Sequence, residues 1–481
     1  MKIRFKYIMS LLILSLLGLG CSEFLDINDD PNNPTTAPIS GLMINTTFET
    51  ARNVQRVGAI TSFFVQHFAS PNEATGTDIH DRVSYATQWS SLYFNLGDLN
   101  VLIDQAEAIG AHYYSGPAKI MKAFNLSLLV GMFGDVPYSQ AFSTDVLQPA
   151  YDNSESIYQA MLQLLNEGIS DLNAEQSVAT PGNDDFIFKG NRDLWRKTAF
   201  ALQARFLNHF SKTPNYNPSD VLSAVDNAFT GNADDFQLTF FASPIAAQNQ
   251  WYRTAVLNAG LNLGGWLSTQ IVNQLNGTTY GIVDPRITFI TAPATNPNFP
   301  DLIGQYIGTR NGAGRGAAPE QGVRAVLAVG SYYALNATQP LEMATYAELK
   351  FIEAEAALAA GNRQRAYQAY ETGIRAHMTK LGVPSANIQA YWNHSSVSVG
   401  MNNLSVNHIM KEKYVATFLN PETWNDARRF NYQYVGFQPP ANSALGGELI
   451  RLADYPDSEY QRNIANVPNR SMTDRIFWDL N

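Results

Sequence analysis

The chain has 481 residues, 45% of them hydrophobic, and a formal net charge of −10. That is ample for a large core and for more than one subdomain, while the acidic balance argues against nucleic acid or anionic phospholipid as a partner held by charge. A single cysteine excludes an internal disulfide, so stability has to come from burial.

Lys2, Arg4 and Lys6 precede an apolar run from Ile8 to Leu19. The run is about a dozen residues long, where a membrane-spanning helix needs about 20. Residues 1–20 are therefore expected to be a removable export signal. Cys21 follows Leu17-Gly18-Leu19-Gly20, where a lipoprotein is cleaved and acylated, although the usual lipobox has Leu rather than Gly three residues before the cysteine. Acylation would consume the Cys21 thiol as a thioether and anchor the chain, at about 0.8 kcal/mol per buried CH₂. Removing Lys2, Arg4 and Lys6 from the 32 basic residues leaves 29 against 42 acids, a formal charge of −13. No later stretch has the length of apolar residues that spanning requires.

Residues 21–42 are rich in Asp, Asn, Pro and Thr without periodicity and read as a lipid-anchored tether. Asp26, Asn28 and Asp30 are spaced like the opening of a calcium loop, but the Gly and distant Glu that complete one are absent. Residues 43–213 form a helical region. Helices are expected over Ile44–Phe68, Tyr85–Ile109 and Pro117–Phe133, from Asp152 behind an Asp152/Glu155 capping pattern, and over Leu194–Phe210. Residues 214–340 are rich in Asn, Gly, Pro and Thr and are expected to be loops and short strands carried by the helices, a setting in which binding residues collect. Within them the Gly-rich run 308–316 lacks the Gly-Lys-Ser/Thr ending of a phosphate cradle and reads as a flexible surface loop. Residues 341–481 are helical again. Two helices over Leu341–Leu381 join at Gly361-Asn362, Ala366 and Tyr370 stand at the spacing of a tetratricopeptide pair, and a last helix covers Val406–Leu419.

Several separated blocks, in order, resemble the SusD/RagB family of outer-membrane nutrient-binding lipoproteins. They include Cys21-Ser22-Glu23-Phe24-Leu25-Asp26 with Pro31-Asn32, Gly134-Asp135-Val136-Pro137-Tyr138, and Tyr151-Asp152 with Ile157-Tyr158. Gly190-Asn191 with Trp195 and Arg205, Glu353-Ala354-Glu355-Ala356, Glu412-Lys413-Tyr414, Trp424-Asn425-Asp426 with Arg428-Arg429, and Tyr455-Pro456 complete the set. The resemblance implies a mainly α fold: tetratricopeptide-like helical pairs form an α-superhelical scaffold with an irregular loop and short-strand ligand-binding insert. It implies capture of an oligosaccharide, or in some members a peptide, and delivery to a SusC-like TonB-dependent outer-membrane transporter beneath this protein as its lid. Glu23 and Asp26 resemble the signal that sends such lipoproteins to the cell surface.

Sugar rings stack their C–H faces on aromatic residues while their hydroxyls take polar partners. On that ground the ligand-binding candidates are Arg82, Tyr85, Trp251, Tyr252, Trp266, Tyr280, Tyr306, Arg310 and Trp392. Trp89, Trp195 and Trp424 lie on helical faces and are assigned to the core. The seven histidines are dispersed, with no H-E-x-x-H and no G-x-S-x-G nearby, so the reading is binding rather than catalysis, without metal or cofactor. Three alternatives stay open: a peptide-binding member, a scaffold for the transporter, and, least favoured, a glycosidase whose paired carboxylates meet only in space.

Overall fold

The computed structural model describes residues 37–143, 145–261, 264–315 and 322–480. The export signal, Cys21 and the tether up to residue 36 lie outside the described residues. The described chain is mainly helical, with fourteen α-helices and one two-stranded sheet, as expected.

The first half is a succession of antiparallel helices: α1 (Ile39–Phe64), α2 (Ala86–Ile109), α3 (His112–Phe133), α4 (Ser154–Leu172) and α5 (Arg192–His209). Each neighbour pair packs along its length, α3 with α4 most extensively. Gly116 and Gly168 permit that contact, because a Cβ on either would press against the backbone carbonyl of the other, at 3.1 and 3.0 Å. Helix starts differ from expectation in an instructive way. Asn153, not Asp152, caps α4, its side chain accepting from Glu155 N at 2.9 Å. Asp152 instead accepts from the amides of Tyr138 and Ser139 at 2.8 and 2.9 Å and ties down the preceding turn. α3 begins five residues before Pro117, which lies inside the helix and leaves its ladder short of one N–H donor.

The insert is more ordered than its composition suggests. It holds α6 (Pro218–Asp226), β1 (Phe236–Thr239), α7 (Gln250–Leu261) and α8 (Thr269–Leu275). β1 pairs antiparallel with β2 (Pro340–Ala344), with Leu238 opposite Leu341. There follow α9 (Tyr346–Ala359), α10 (Arg363–Leu381), α11 (Ser385–Trp392), α12 (Val406–Ala416), α13 (Glu422–Arg429) and α14 (Asp457–Arg462). Ala366 and Tyr370 are both fully buried in the α9–α10 pair, as the tetratricopeptide spacing requires.

Where α5 meets the later helices the core is ionic. Arg205 holds Glu348 through two bonds of 2.7 and 2.5 Å, and His209 meets Glu422 at 2.7 Å. Arg429 bridges Glu355 at 2.7 Å and Asp426 at 2.6 Å, and Lys413 completes Asp426 at 2.8 Å. Burial by itself would raise the Glu355 carboxyl, but Arg429, with Lys413 and Asn208, outweighs it and holds the group at about 2. Glu353, on the same helix as Glu355, is likewise buried and bridged, to Lys350 and Arg365.

Candidate functional site

Loops distant in sequence meet on one face of this body. Ala69 N donates to Trp266 O at 2.9 Å, Ser268 N to His67 O at 3.0 Å, and Arg315 N to Pro71 O at 3.0 Å. Ala441 N reaches Asn311 O at 2.8 Å, and Ala444 N reaches Ile79 O at 2.9 Å. Segments 66–85, 264–269, 305–315 and 438–445 thus form a crown pinned by main-chain bonds, which satisfy backbone groups that irregular segments would otherwise leave unpaired. At its centre Asp78 is fully buried. Its carboxylate accepts from Asn311 Nδ2 at 2.7 Å and from Gly312 N at 2.6 Å. Burial pushes the Asp78 carboxyl up to about 6, because its donors are mostly neutral. Gly312 is required here: its φ is 77°, and a Cβ would run into the carbonyl of Ala441.

The Gly-rich run read as a flexible surface loop is therefore packed into the crown. Thr309, Asn311 and Gly312 are buried, and the glycines serve backbone approach rather than a phosphate.

The crown gathers five of the nine candidates in different roles. Arg82 is exposed, pairs with Asp454 and with Asp457 (3.2 Å), and lies over the Tyr460 ring at 5.2 Å. Arg310 is half-buried and donates to Pro439 O at 2.6 Å, and Tyr306 is half-buried on the same segment. Tyr85 is buried against Phe64, its hydroxyl 3.3 Å from Thr77. Trp266 is wholly buried, with its indole N–H on Asn258 at 3.0 Å.

The other four lie elsewhere. Trp251, expected in a loop, is on α7 and packs edge-on against Phe68 beneath the crown. Tyr252 is half-buried on the same helix. Tyr280 lies under the Lys411 ammonium at 4.3 Å, and burial raises its phenol to about 12. Trp392 ends α11 and is packed on Tyr367 and Tyr370. Trp251, Trp266 and Trp392, the three tryptophans among the candidates, are thus core residues. A large ring near Gly or Asn is still worth more to the fold buried than exposed. Exposed polar side chains on the crown include Asn72, Glu73, Asp81, Arg82 and Asn442. They can hydrogen-bond hydroxyls from several loops at once.

A second concavity, of about 750 Å³, opens between α2 and the loop 137–149. Its walls include Trp89, Tyr93, Phe94, Phe142 and Leu147, with Arg462 of α14 beside it. Sequence reasoning missed it. The available signal was Phe94, an aromatic residue out of phase with the buried stripe Leu92, Leu96 and Leu99.

Residues 31–456 match the model of a family described as SusD-like, starch-binding and associating with the outer membrane. Among curated proteins the chain has no match. Solved structures share the fold at low identity. A SusD homologue from Parabacteroides distasonis has a TM-score of 0.77 at 16% identity, covering 92% of this chain and 98% of its own. A SusD/RagB family protein from Bacteroides thetaiotaomicron has a TM-score of 0.73 at 20% identity, covering 92% and 99%. A chitin-binding SusD homologue from Flavobacterium johnsoniae has a TM-score of 0.75 at 19% identity, covering 91% and 99%. With the family model spanning most of its length and the helical body in place, the chain belongs to the SusD-like, SusD/RagB family of outer-membrane-associated proteins.

Proposed function

We propose that this protein is a glycan-binding lipoprotein of the cell surface that captures an oligosaccharide on its loop crown. It then passes the glycan to a SusC-like TonB-dependent transporter, over which it acts as a lid. The observation that carries the reading is the crown: loops from four parts of the chain are pinned to a rigid body while Asn72, Asp81, Arg82 and Asn442 stay exposed. Rigid loops bearing several polar groups bind polyhydroxylated ligands with little ordering cost. Tyr306, half-buried at the edge of the same surface, is the candidate ring for stacking. The anchor in this reading is acylated Cys21, and the described part contains no helix long and apolar enough to cross a membrane.

Calorimetric titration of the chain from Ser22 with a panel of oligosaccharides, polysaccharides and peptide mixtures tests the proposal. Heat with one glycan class that is lost in Asn72→Ala/Asn442→Ala supports it. Heat with peptides alone moves the protein to peptide import, and silence throughout removes the capture role.

A further inference from the structure

We propose that the groove between α2 and the loop 137–149 seats the chain's own N-terminal segment, with Phe24, Leu25 and Ile27 as its anchors. The groove is separate from the crown and unlike it in chemistry. Phe94 is 75% exposed and Leu147 92% exposed. They stand beside Tyr93, Phe142, Pro137 and Pro149 around a volume of about 750 Å³. Trp89, Tyr93 and Phe142 form a ladder into it, with ring centroids 4.9 and 6.2 Å apart. A concave apolar patch rimmed by polar groups marks a contact surface, and this volume lies in the range of about 300–1,000 Å³ that accommodates a few bulky groups.

The place where the described chain begins selects the occupant. Asn45 of α1 donates to Asp98 of α2 at 2.8 Å, and Asp98, with Gly97, lines the groove. Six residues back from Asn45 is Ile39, the start of α1, about 9 Å away at the helical rise. The chain therefore leaves the body about 9 Å beyond the Asp98 edge of the groove. The twelve residue steps from Leu25 to Ala37 reach up to about 40 Å when extended, more than the distance requires. Within 22–38 the large apolar residues are Phe24, Leu25 and Ile27, set among Asp, Asn, Thr and Pro.

A spacer has no need of them, whereas an apolar groove does. Because the two are covalently joined, the local concentration is on the order of millimolar. Charge sets the polarity of the fit. Glu459 already accepts from Tyr151 at 2.9 Å and Asp98 from Asn45. The exposed Arg462 guanidinium has no carboxylate partner among the described residues, leaving it for Glu23, Asp26, Asp29 or Asp30.

The test uses the chain from Ser22, which has no cysteine, so the double variant Phe24→Cys/Leu147→Cys can form one intramolecular disulfide. Such a bond needs Cα atoms within about 7 Å. Under mild oxidation this pair is expected to cross-link in the monomer, and the control Asn33→Cys/Leu147→Cys is not. In parallel, hydrogen exchange of α2 and of 137–149 is expected to be several-fold faster in Phe24→Asp/Leu25→Asp than in the parent. Both positions in the groove are exposed, so Phe94→Ser/Leu147→Ser keeps the fold and should reproduce the faster exchange. Absent cross-linking with equal exchange overturns the proposal. So does groove protection that appears only with added oligosaccharide, which would make it a glycan subsite, or only with rising protein concentration, which would make it a self-association face.

Discussion

Two buried carboxylates, Glu355 in the helical seam and Asp78 in the crown, meet opposite fates. Glu355 is held at about 2 and Asp78 is pushed up to about 6. Both groups are removed from water, and that alone raises a carboxyl. The difference lies in the company: Arg429 and Lys413 face Glu355, whereas an amide side chain and a backbone N–H face Asp78. The seam joins α5, α9, α12 and α13 through desolvated ions whose geometry cannot be relaxed cheaply. The crown joins its loops through main-chain bonds worth about 0.5–1.5 kcal/mol each, which water can replace one at a time. The helical body is locked by the first kind of joint, and the crown is pinned by many of the second.

Four changes break or sharpen that contrast. Arg429→Met leaves Glu355 and Asp426 buried without their shared cation and should cost about 3–5 kcal/mol, read as a lower urea midpoint at unchanged m-value. Gly312→Ala forces a side chain into left-handed backbone against Ala441, a cost of about 2–3 kcal/mol. It should accelerate hydrogen exchange in 69–85 and 438–445 while α3 and α4 stay protected.

Asp78 gives the pH response. Its folded carboxyl binds a proton more tightly than the unfolded one, so its contribution is complete below the ordinary carboxylate range and is lost as pH rises through about 6. Wild-type stability should fall by roughly 2 kcal/mol between pH 4 and pH 7 on this account. Asp78→Asn should flatten that slope in pH-dependent melting. Glu355 behaves in the opposite sense: its contribution is present above the unfolded carboxylate range and disappears as pH falls through about 2. The smallest effect belongs to Arg82→Ala: its guanidinium is exposed, and buried Asp454 keeps the Tyr460 hydroxyl as a donor. Melting should shift by under about 1 kcal/mol, while glycan heat in calorimetry falls if the crown is the binding face.

Helices were legible because their signals are local. The stripe Leu92, Leu96, Leu99 and the Ala366/Tyr370 pair sit on buried faces as their spacing requires. Caps were legible to within a residue or two, and Asp152 was misplaced because its carboxylate serves a turn that only the folded chain brings near. Trp266 and Trp392 were not legible as core. Their neighbours in sequence are polar or Gly, and what buries them comes from elsewhere: Leu327 lies beside Gly265, and Tyr367 beside Trp392. The packed state of 308–315 was hidden for the same reason, since its partners are residues 68, 78 and 441.

The ionic seam also dictates an order of events as the chain is made. Arg205 finds its carboxylate 143 residues later, and His209 finds Glu422 213 residues later. A growing chain that has completed α1 to α5 therefore carries the Arg205 cation without its carboxylate, and the His209 imidazole held on one side only, by Tyr158. Those early hairpins can collapse but cannot close their last surface. Because long-range partners are acquired slowly and only once synthesis reaches them, final locking waits for α13. The protein becomes resistant to proteolysis late and all at once, and C-terminal truncations short of Arg429 should be degraded rather than accumulate as smaller folded forms.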